Sequence, residues 1–297
     1  MVTKLDRRRF FSTSFAGAAG MMLSPALGSL ASARSATDRV QLGGTGIEVS
    51  RIAMGTGFNG FAHSSAQVRL GKTGFTSLMH HGFDSGLNFF DMADMYGSHH
   101  FMRGAISEIG RDRMVLLSKI WFAGGGGEPP TDRAVPAVER FLGELNTDHL
   151  DVCLIHCATD ASWATRLERM RDELSELKQK GVIRAKGVSC HDLGALKVAA
   201  SDPWVDVIFS RINNRAKVMD AADPNVVADV LRKARANGKA VVGMKIFGAG
   251  QLVQPQQREE SLRYVWGNDL VNAMTIGFEH PEQVDDTIAR LNGVLRA

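Results

Sequence analysis

The stretch GLNFFDMADMYGSHHFMR, residues 86–103, decides how the chain is read. Residues 88–91 are a short, largely apolar run ending in an acid, the pattern of a buried strand, and Asp94 and Tyr96 follow before a glycine turn at Gly97. An acid where a strand ends, with a phenol one short loop later, puts both at the rim of a parallel sheet. That is where α/β proteins carry their chemistry.

Outward from this stretch, strand and helix patterns alternate. Residues 40–50, VQLGGTGIEVS, hold two short apolar runs around glycines and read as a hairpin. Strand patterns follow at residues 52–55, 88–91, 115–119, 150–156, 183–189, 205–209, 241–245 and 273–276. Helix patterns fall near residues 73–85 and 101–109, after Pro129-Pro130-Thr131, and near residues 193–200 and 225–237, with a closing helix carrying Val284, Ile288, Leu291 and Leu295. Between residues 166 and 180, Leu167, Met170, Leu174 and Leu177 make one apolar stripe before Gly181 stops it. Eight strands with intervening helices or loops predict a (β/α)8 TIM barrel with an N-terminal β-hairpin over residues 40–297. An open doubly wound sheet is the competing fold, but no GxGxxG follows the first strand.

In such a barrel Asp91, Lys119 and His156 end the second, third and fourth strands, with Tyr96 in the loop after the second. Strand order alone therefore brings all four to one mouth. The opening stretch also resembles the aldo-keto reductase signature G-x-N-x-x-D-T-A-x-x-Y-G, matching at Gly86, Asn88, Asp91, Ala93, Tyr96 and Gly97, with Met92 for Thr. Lys119 in LLSKI and His156 in LDVCLIH complete that family's Asp, Tyr, Lys and His set. The resemblance implies an oxidoreductase moving hydride between a nicotinamide nucleotide and a small carbonyl or alcohol. Tyr96 would then be general acid in reduction and general base in oxidation, its pKa lowered by Lys119, which Asp91 keeps charged. His156 would orient the substrate oxygen or share the proton. His99 and His100 read as solvated or substrate-lining, and Asp94 as a loop hydrogen-bonder.

The resemblance continues on the cofactor side. GVIRAKGVSCHD, residues 181–192, resembles G-K-I-R-x-x-G-V-S-N, whose Ser and Asn hold the nicotinamide amide; Ser189 is kept and Cys190 replaces the Asn. Phe209 stands where the family offers a Gln, and Asn213 matches a later Asn. MKIFGAGQL, residues 244–252, resembles the loop that crosses the pyrophosphate, which implies contacts from Lys245, Gly248, Gly250 and Leu252. Glu279, near a helix start at Pro281, stands where a base would favour a 2′-phosphate, so the cofactor is NADP or NAD. The rival reading is a catalytically degenerate nucleotide-binding or accessory barrel, which Cys190 and Phe209 suggest. A metal-dependent barrel hydrolase would need a His-x-His after the first strand, and GTGFNGFAHSS lacks it.

The N-terminus carries an address. DRRRFF at residues 6–11, a small and largely apolar stretch over residues 15–30 and Ala31-Ser32-Ala33 make a secretory signal, with cleavage expected after Ala33. Arg7, Arg8 and Phe10 resemble a twin-arginine signal, which implies the twin-arginine export machinery as partner and a periplasmic or otherwise exported protein. An ordinary secretory signal or a retained anchor is the alternative. Gly17, Gly20, Gly28 and Pro25 make the stretch a poor membrane-spanning helix. The remaining 264 residues or so suit one barrel of about 250 residues. A net charge of +3, drawn largely from the first nine residues, points to no nucleic-acid partner. Three cysteines without CxxC or zinc spacing predict free thiols and no metal site.

Overall fold

The computed structural model describes residues 34–127 and 129–297, so the expected export signal lies outside the described residues. A hairpin comes first, β1 (Arg39–Gln41) antiparallel to β2 (Glu48–Ser50). Eight parallel strands then close on themselves: β3 (Ile52–Gly55), β4 (Phe89–Asp91), β5 (Val115–Trp121), β6 (Leu150–Ala158), β7 (Ile183–Cys190), β8 (Val207–Arg211), β9 (Ala240–Met244) and β10 (Ala273–Gly277), with β10 pairing β3. The expected (β/α)8 barrel with an N-terminal hairpin is the observed fold.

Alternation along each strand divides the core in two. Ala53, Phe89, Val115, Leu117, Val152, Leu154, Ala185, Val207, Phe209 and Val242 point into the barrel. Ile52, Phe90, Leu116, Ile155, Val188, Cys190 and Ile208 face the helices instead. The hairpin closes the N-terminal end, since Leu42, Ile47 and Val49 join the interior cluster. Asn88 ties it to the barrel, accepting from the Ser50 N–H at 2.7 Å and donating to the Glu48 carbonyl at 3.1 Å. This explains the Asn two residues into the opening stretch.

The helices are α1 (Gly71–Asp84), α2 (His99–Ile109), α3 (Val135–Leu145), α4 (Trp163–Arg166), α5 (Glu168–Gln179), α6 (Leu193–Ser201), α7 (Pro224–Ala236), α8 (Pro255–Gly267) and α9 (Pro281–Arg296). Local chemistry starts several of them: Asp192 caps α6 by accepting from the Ala195 N–H at 2.9 Å, and Pro224 follows the Asp223 cap of α7. Among the departures from the sequence reading, three stand out. The helix expected over residues 166–180 breaks at Leu167 into α4 and α5. The sixth barrel strand starts at Val207, not residue 205, because the Val205 N–H closes a turn onto the Asp202 carbonyl. Helix α8 was not foreseen, since its buried residues are only Ser261, Leu262 and Val265, too narrow a stripe to register as a period. Among the described residues no helix is long and apolar enough to cross a membrane.

Candidate active site

Asp91, Lys119 and His156 each lie two residues beyond an interior side chain, Phe89, Leu117 and Leu154, so alternation turns all three toward the barrel mouth. Lys119 Nζ pairs with Asp91 Oδ1 and donates to the Met92 carbonyl at 2.9 Å. The pair is deeply buried, 2% and 6% exposed at the side chains. Asp91 Oδ2 accepts from Thr275 Oγ1 at 2.8 Å, across the intervening strand β3. Gly55 on β3 leaves the room: a Cβ there would stand 2.9 Å from Thr275 Oγ1. Thr275 was not singled out from the sequence, although its place on the last strand facing the lumen was a usable signal.

Tyr96 ends a single 3₁₀ turn, Asp94–Tyr96, closed by Gly97 at φ +68°. A Cβ on Gly97 would come 2.1 Å from the His63 carbonyl oxygen, so left-handed backbone and close approach both demand glycine. The phenol lies 3.5 Å from His156 Nε2, and Lys119 Nζ stands 4.9 Å from the ring centroid. Two other glycines hold the ring. A Cβ on Gly57 would meet Tyr96 Cε2 at 2.2 Å, and one on Gly60 would meet Cδ1 at 2.6 Å. Neither was legible in the sequence, because a loop's packing partner is set by the closed barrel. If Tyr96 is the proton donor, Gly57→Ala should displace its hydroxyl and lower kcat for carbonyl reduction by about a hundredfold, as misplacement on the 1 Å scale does. A variant with wild-type kcat would show that the ring's seat does not matter.

The protonation states differ from the expectation in one respect. Burial, aided by the Asp91 charge, pushes the Tyr96 phenol well above its usual 10.0. Any lowering by Lys119 is outweighed here: its charge is matched by Asp91, and burial is the larger effect on the phenol. Burial, reinforced by Lys119, His191 and Lys245, holds His156 well below 6.5, so its ring is neutral. A bulge between Ile155 and Ala158, with Cys157 at φ +66°, follows it directly and re-aims the strand end.

Behind Tyr96, His99 is buried rather than solvated. Its Nδ1–H donates to Glu144 Oε2 at 2.7 Å, and its Nε2 lies 2.8 Å from Ser118 Oγ. Asp94 is a loop hydrogen-bonder as read, accepting from Arg140 Nη2 at 2.7 Å. Burial opposes ionisation of Glu144, but the His99 and Arg140 contacts take its carboxyl down to about 2. This chain of contacts joins the Tyr96 turn to the strand that carries Lys119.

From these groups a cavity runs between the β3 loop and the segment after β9. Asp91, Tyr96, Lys119, Phe209, Lys245, Phe247, Gly250, Leu252, Glu279 and Gln283 are among its lining residues. The Ser189 hydroxyl is buried without a hydrogen-bond partner. The family whose model matches residues 52–293 is described as the aldo/keto reductase family. The chain belongs to the aldo/keto reductase family. Methylglyoxal reductase DkgB of Yersinia pestis is 27% identical over 164 residues, 52% of this chain and 60% of that protein. Methylglyoxal reductase YeaE of Escherichia coli K12 is 32% identical over 111 residues, 36% of each chain. The match to DkgB thus spans less than two thirds of that relative's length. The Bacillus halodurans aldo-keto reductase AKR11C1 in its holo form superposes with TM-score 0.68 at 18% identity, covering 87% of this chain and 95% of that one. A Klebsiella pneumoniae aldo/keto reductase in complex with NADP and acetate gives 0.64 at 21% identity, covering 84% and 88%. These likenesses carry the fold.

In this member of the family, the residues expected to hold the nucleotide separate into groups. Ser189 has lumen parity, but Cys190 packs in the layer between sheet and helices, where burial raises its thiol well above 9.0. Phe209 lines the cavity, its ring centroid 5.1 Å from Lys119 Nζ. Asn213 is engaged internally: its amide donates to the Lys217 and Lys245 carbonyls at 2.8 and 3.1 Å, and its oxygen accepts from the Arg215 and Lys217 N–H groups. Gly248 and Gly250 adopt φ +59° and +86°. A Cβ on Gly248 would reach 2.8 Å from Lys217 Cβ. Further cavity-lining side chains went unforeseen, among them Phe58, whose ring would meet a Cβ on Gly250 at 3.4 Å, Arg258 from α8, and Gln283, which accepts from the Glu279 N–H at 2.7 Å.

Proposed function

We propose that this protein reduces a small carbonyl compound with a nicotinamide nucleotide, NADP or NAD, and oxidises the matching alcohol in reverse. One observation carries the reading: a neutral, half-buried Tyr96 phenol and the Asp91–Lys119 pair line one cavity, with a neutral His156 3.5 Å from the phenol oxygen. The names of the relatives, two methylglyoxal reductases and a structure with NADP bound, agree with it.

The residues fit such a nucleotide. Phe209, Lys245, Gly250, Leu252 and Glu279 line the cavity together with Tyr96 and Lys119, and the Ser189 hydroxyl, on the strand next to that of Phe209, is buried without a partner. When bound, the nucleotide supplies the hydride that reduces the carbonyl carbon. The protein supplies the proton. Tyr96, protonated at rest, gives its hydroxyl proton to the substrate oxygen as negative charge builds there, and Lys119 stabilises the phenolate left behind. Asp91, fixed by Lys119 and Thr275, keeps that cation in place. His156, being neutral, can direct one N–H at the same oxygen without competing for the proton.

The raised phenol pKa gives a pH dependence with a definite sign. Reduction uses the protonated form, so kcat/KM should stay level from about pH 6 to about pH 9. Oxidation uses the deprotonated form and should climb with pH through the same interval, by up to about tenfold per unit. His156, depressed well below 6.5, adds no limb of its own there. A reduction profile falling through neutrality would contradict the assignment.

Steady-state consumption of NADPH or NADH with simple aldehydes tests the reading. Turnover is expected, and its absence with both nucleotides across methylglyoxal and aromatic aldehydes would overturn it. That outcome would favour the second reading, a nucleotide-binding or accessory barrel, which the outward-facing Cys190 and apolar Phe209 support. We further propose export of the folded protein with its nucleotide already held, on the strength of Arg7, Arg8 and the following apolar stretch. Denaturing the mature exported protein should release nucleotide; none released would refute loading before transit.

A further inference from the structure

Resting on that function, we propose that His99 is a positioning residue: its imidazole, bound at both nitrogens, sets the separation of the Tyr96 phenol from the Lys119 ammonium. The phenol is only loosely held by its own contacts. Its oxygen lies 3.5 Å from His156 Nε2, beyond the usual hydrogen-bond range, so the hydroxyl goes where the backbone of the Asp94–Tyr96 turn takes it. That turn is gripped on both sides by α3. Asp94, two residues before Tyr96, accepts from Arg140 at 2.7 Å, and His99, three residues after it, donates to Glu144 at 2.7 Å. Arg140 and Glu144 stand one helical turn apart and bond each other at 3.1 Å, which closes the clamp.

The other imidazole nitrogen ties the turn to the barrel. His99 Nε2 is 2.8 Å from Ser118 Oγ, and Ser118 immediately precedes Lys119 on β5. One rigid ring therefore spans from the clamp on α3 to the strand that carries the cation. Thr56 makes a parallel tie to β4: its hydroxyl donates to the Asp91 carbonyl at 2.9 Å and stands 2.8 Å from Ser98 Oγ. Residues 98 and 99 are thus registered against both strands whose ends form the Asp91–Lys119 pair.

This polar layer has a cost that an apolar one would avoid. His99 and Ser118 are 3% and 0% exposed, and the imidazole packs against Phe141 with ring centroids 4.6 Å apart. Asp94 Oδ1 stays buried without a partner. A buried network left partly unsatisfied is a poor source of stability, and what it adds over apolar packing is a fixed geometry. The geometry fixed here is that of the proton donor.

The test is the single-turnover rate of NADPH or NADH oxidation by saturating aldehyde, which reports the chemical step and does not depend on how much of the protein is folded. His99→Leu keeps much of the bulk and loses both bonds. Its rate should fall about tenfold, short of the roughly hundredfold that a displacement of about 1 Å brings, while nucleotide Kd stays at the wild-type value. His99→Asn can keep the Glu144 contact and His99→Gln the Ser118 contact, so each should recover part of the loss. Ser118→Ala should match His99→Asn, and the two combined should lose no more than either alone, because both remove the same bond. A wild-type rate in His99→Leu would overturn the proposal, as would Asn and Gln variants no faster than Leu. Weakened nucleotide binding in step with the rate would reduce His99 to a general structural role and overturn it too. Should the His99 variants fail to bind nucleotide at all, Ser118→Ala decides, and a wild-type rate there refutes the proposal. Wild type that reduces no aldehyde would instead defeat the carbonyl reductase reading beneath it.

Discussion

Replacing Tyr96 by Phe is expected to lower kcat/KM for carbonyl reduction between about a hundredfold and about ten-thousandfold, the usual worth of a positioned proton donor. The nucleotide should still bind, because the change removes one oxygen atom and keeps the ring that Gly57, Gly60 and Lys119 pack against. The two readouts separate chemistry from folding: steady-state rates report the proton, and fluorescence titration with NADPH reports the cavity. A Phe variant with more than about a tenth of wild-type kcat/KM would place the proton donor elsewhere.

The second large effect concerns the pair behind Tyr96. Lys119→Met leaves Asp91 charged and buried with one oxygen unpaired, and Asp91→Asn leaves a buried ammonium without its counter-ion. Breaking a buried pair on one side typically costs about 3–5 kcal/mol, most of it from the charge left behind. The double change Asp91→Leu with Lys119→Met should therefore be less destabilising than either single change in denaturant unfolding. Activity should not follow that recovery. All three variants should be poor catalysts, since the cation that stabilises the phenolate is missing or no longer held in place. Recovery of turnover along with stability in the double variant would reduce the pair to a structural role.

Much of this was legible in the chain because strand alternation is a strict code. Once residues 88–91, 115–119 and 150–156 read as successive strands, the orientation of Asp91, Lys119 and His156 followed. Cys190 shows the same code left unused: if Ser189 faces the mouth, its neighbour must face the helices, and it does. Other features had no local signal. His99 packs against Glu144, 45 residues away, and Gly57 and Gly60 are shaped by a ring on another loop. Thr275 reaches Asp91 over the glycine of a strand that lies between them. The acidity of Tyr96 was misjudged for a related reason. A neighbouring ammonium favours the phenolate, but here Asp91 matches its charge and desolvation, aided by the Asp91 charge, raises the phenol by more.

If the proposed chemistry holds, the nucleotide's hydride and the Tyr96 proton reach the two ends of one C=O bond. The direct measurement is to supply NADPH or NADH carrying deuterium at both nicotinamide C4 positions with an aldehyde and to examine the product alcohol by mass spectrometry and NMR. Deuterium fixed on the former carbonyl carbon, absent when Tyr96→Phe replaces wild type, is the result expected. Alcohol formed without deuterium, or labelled alcohol formed equally by the Phe variant, would contradict the account.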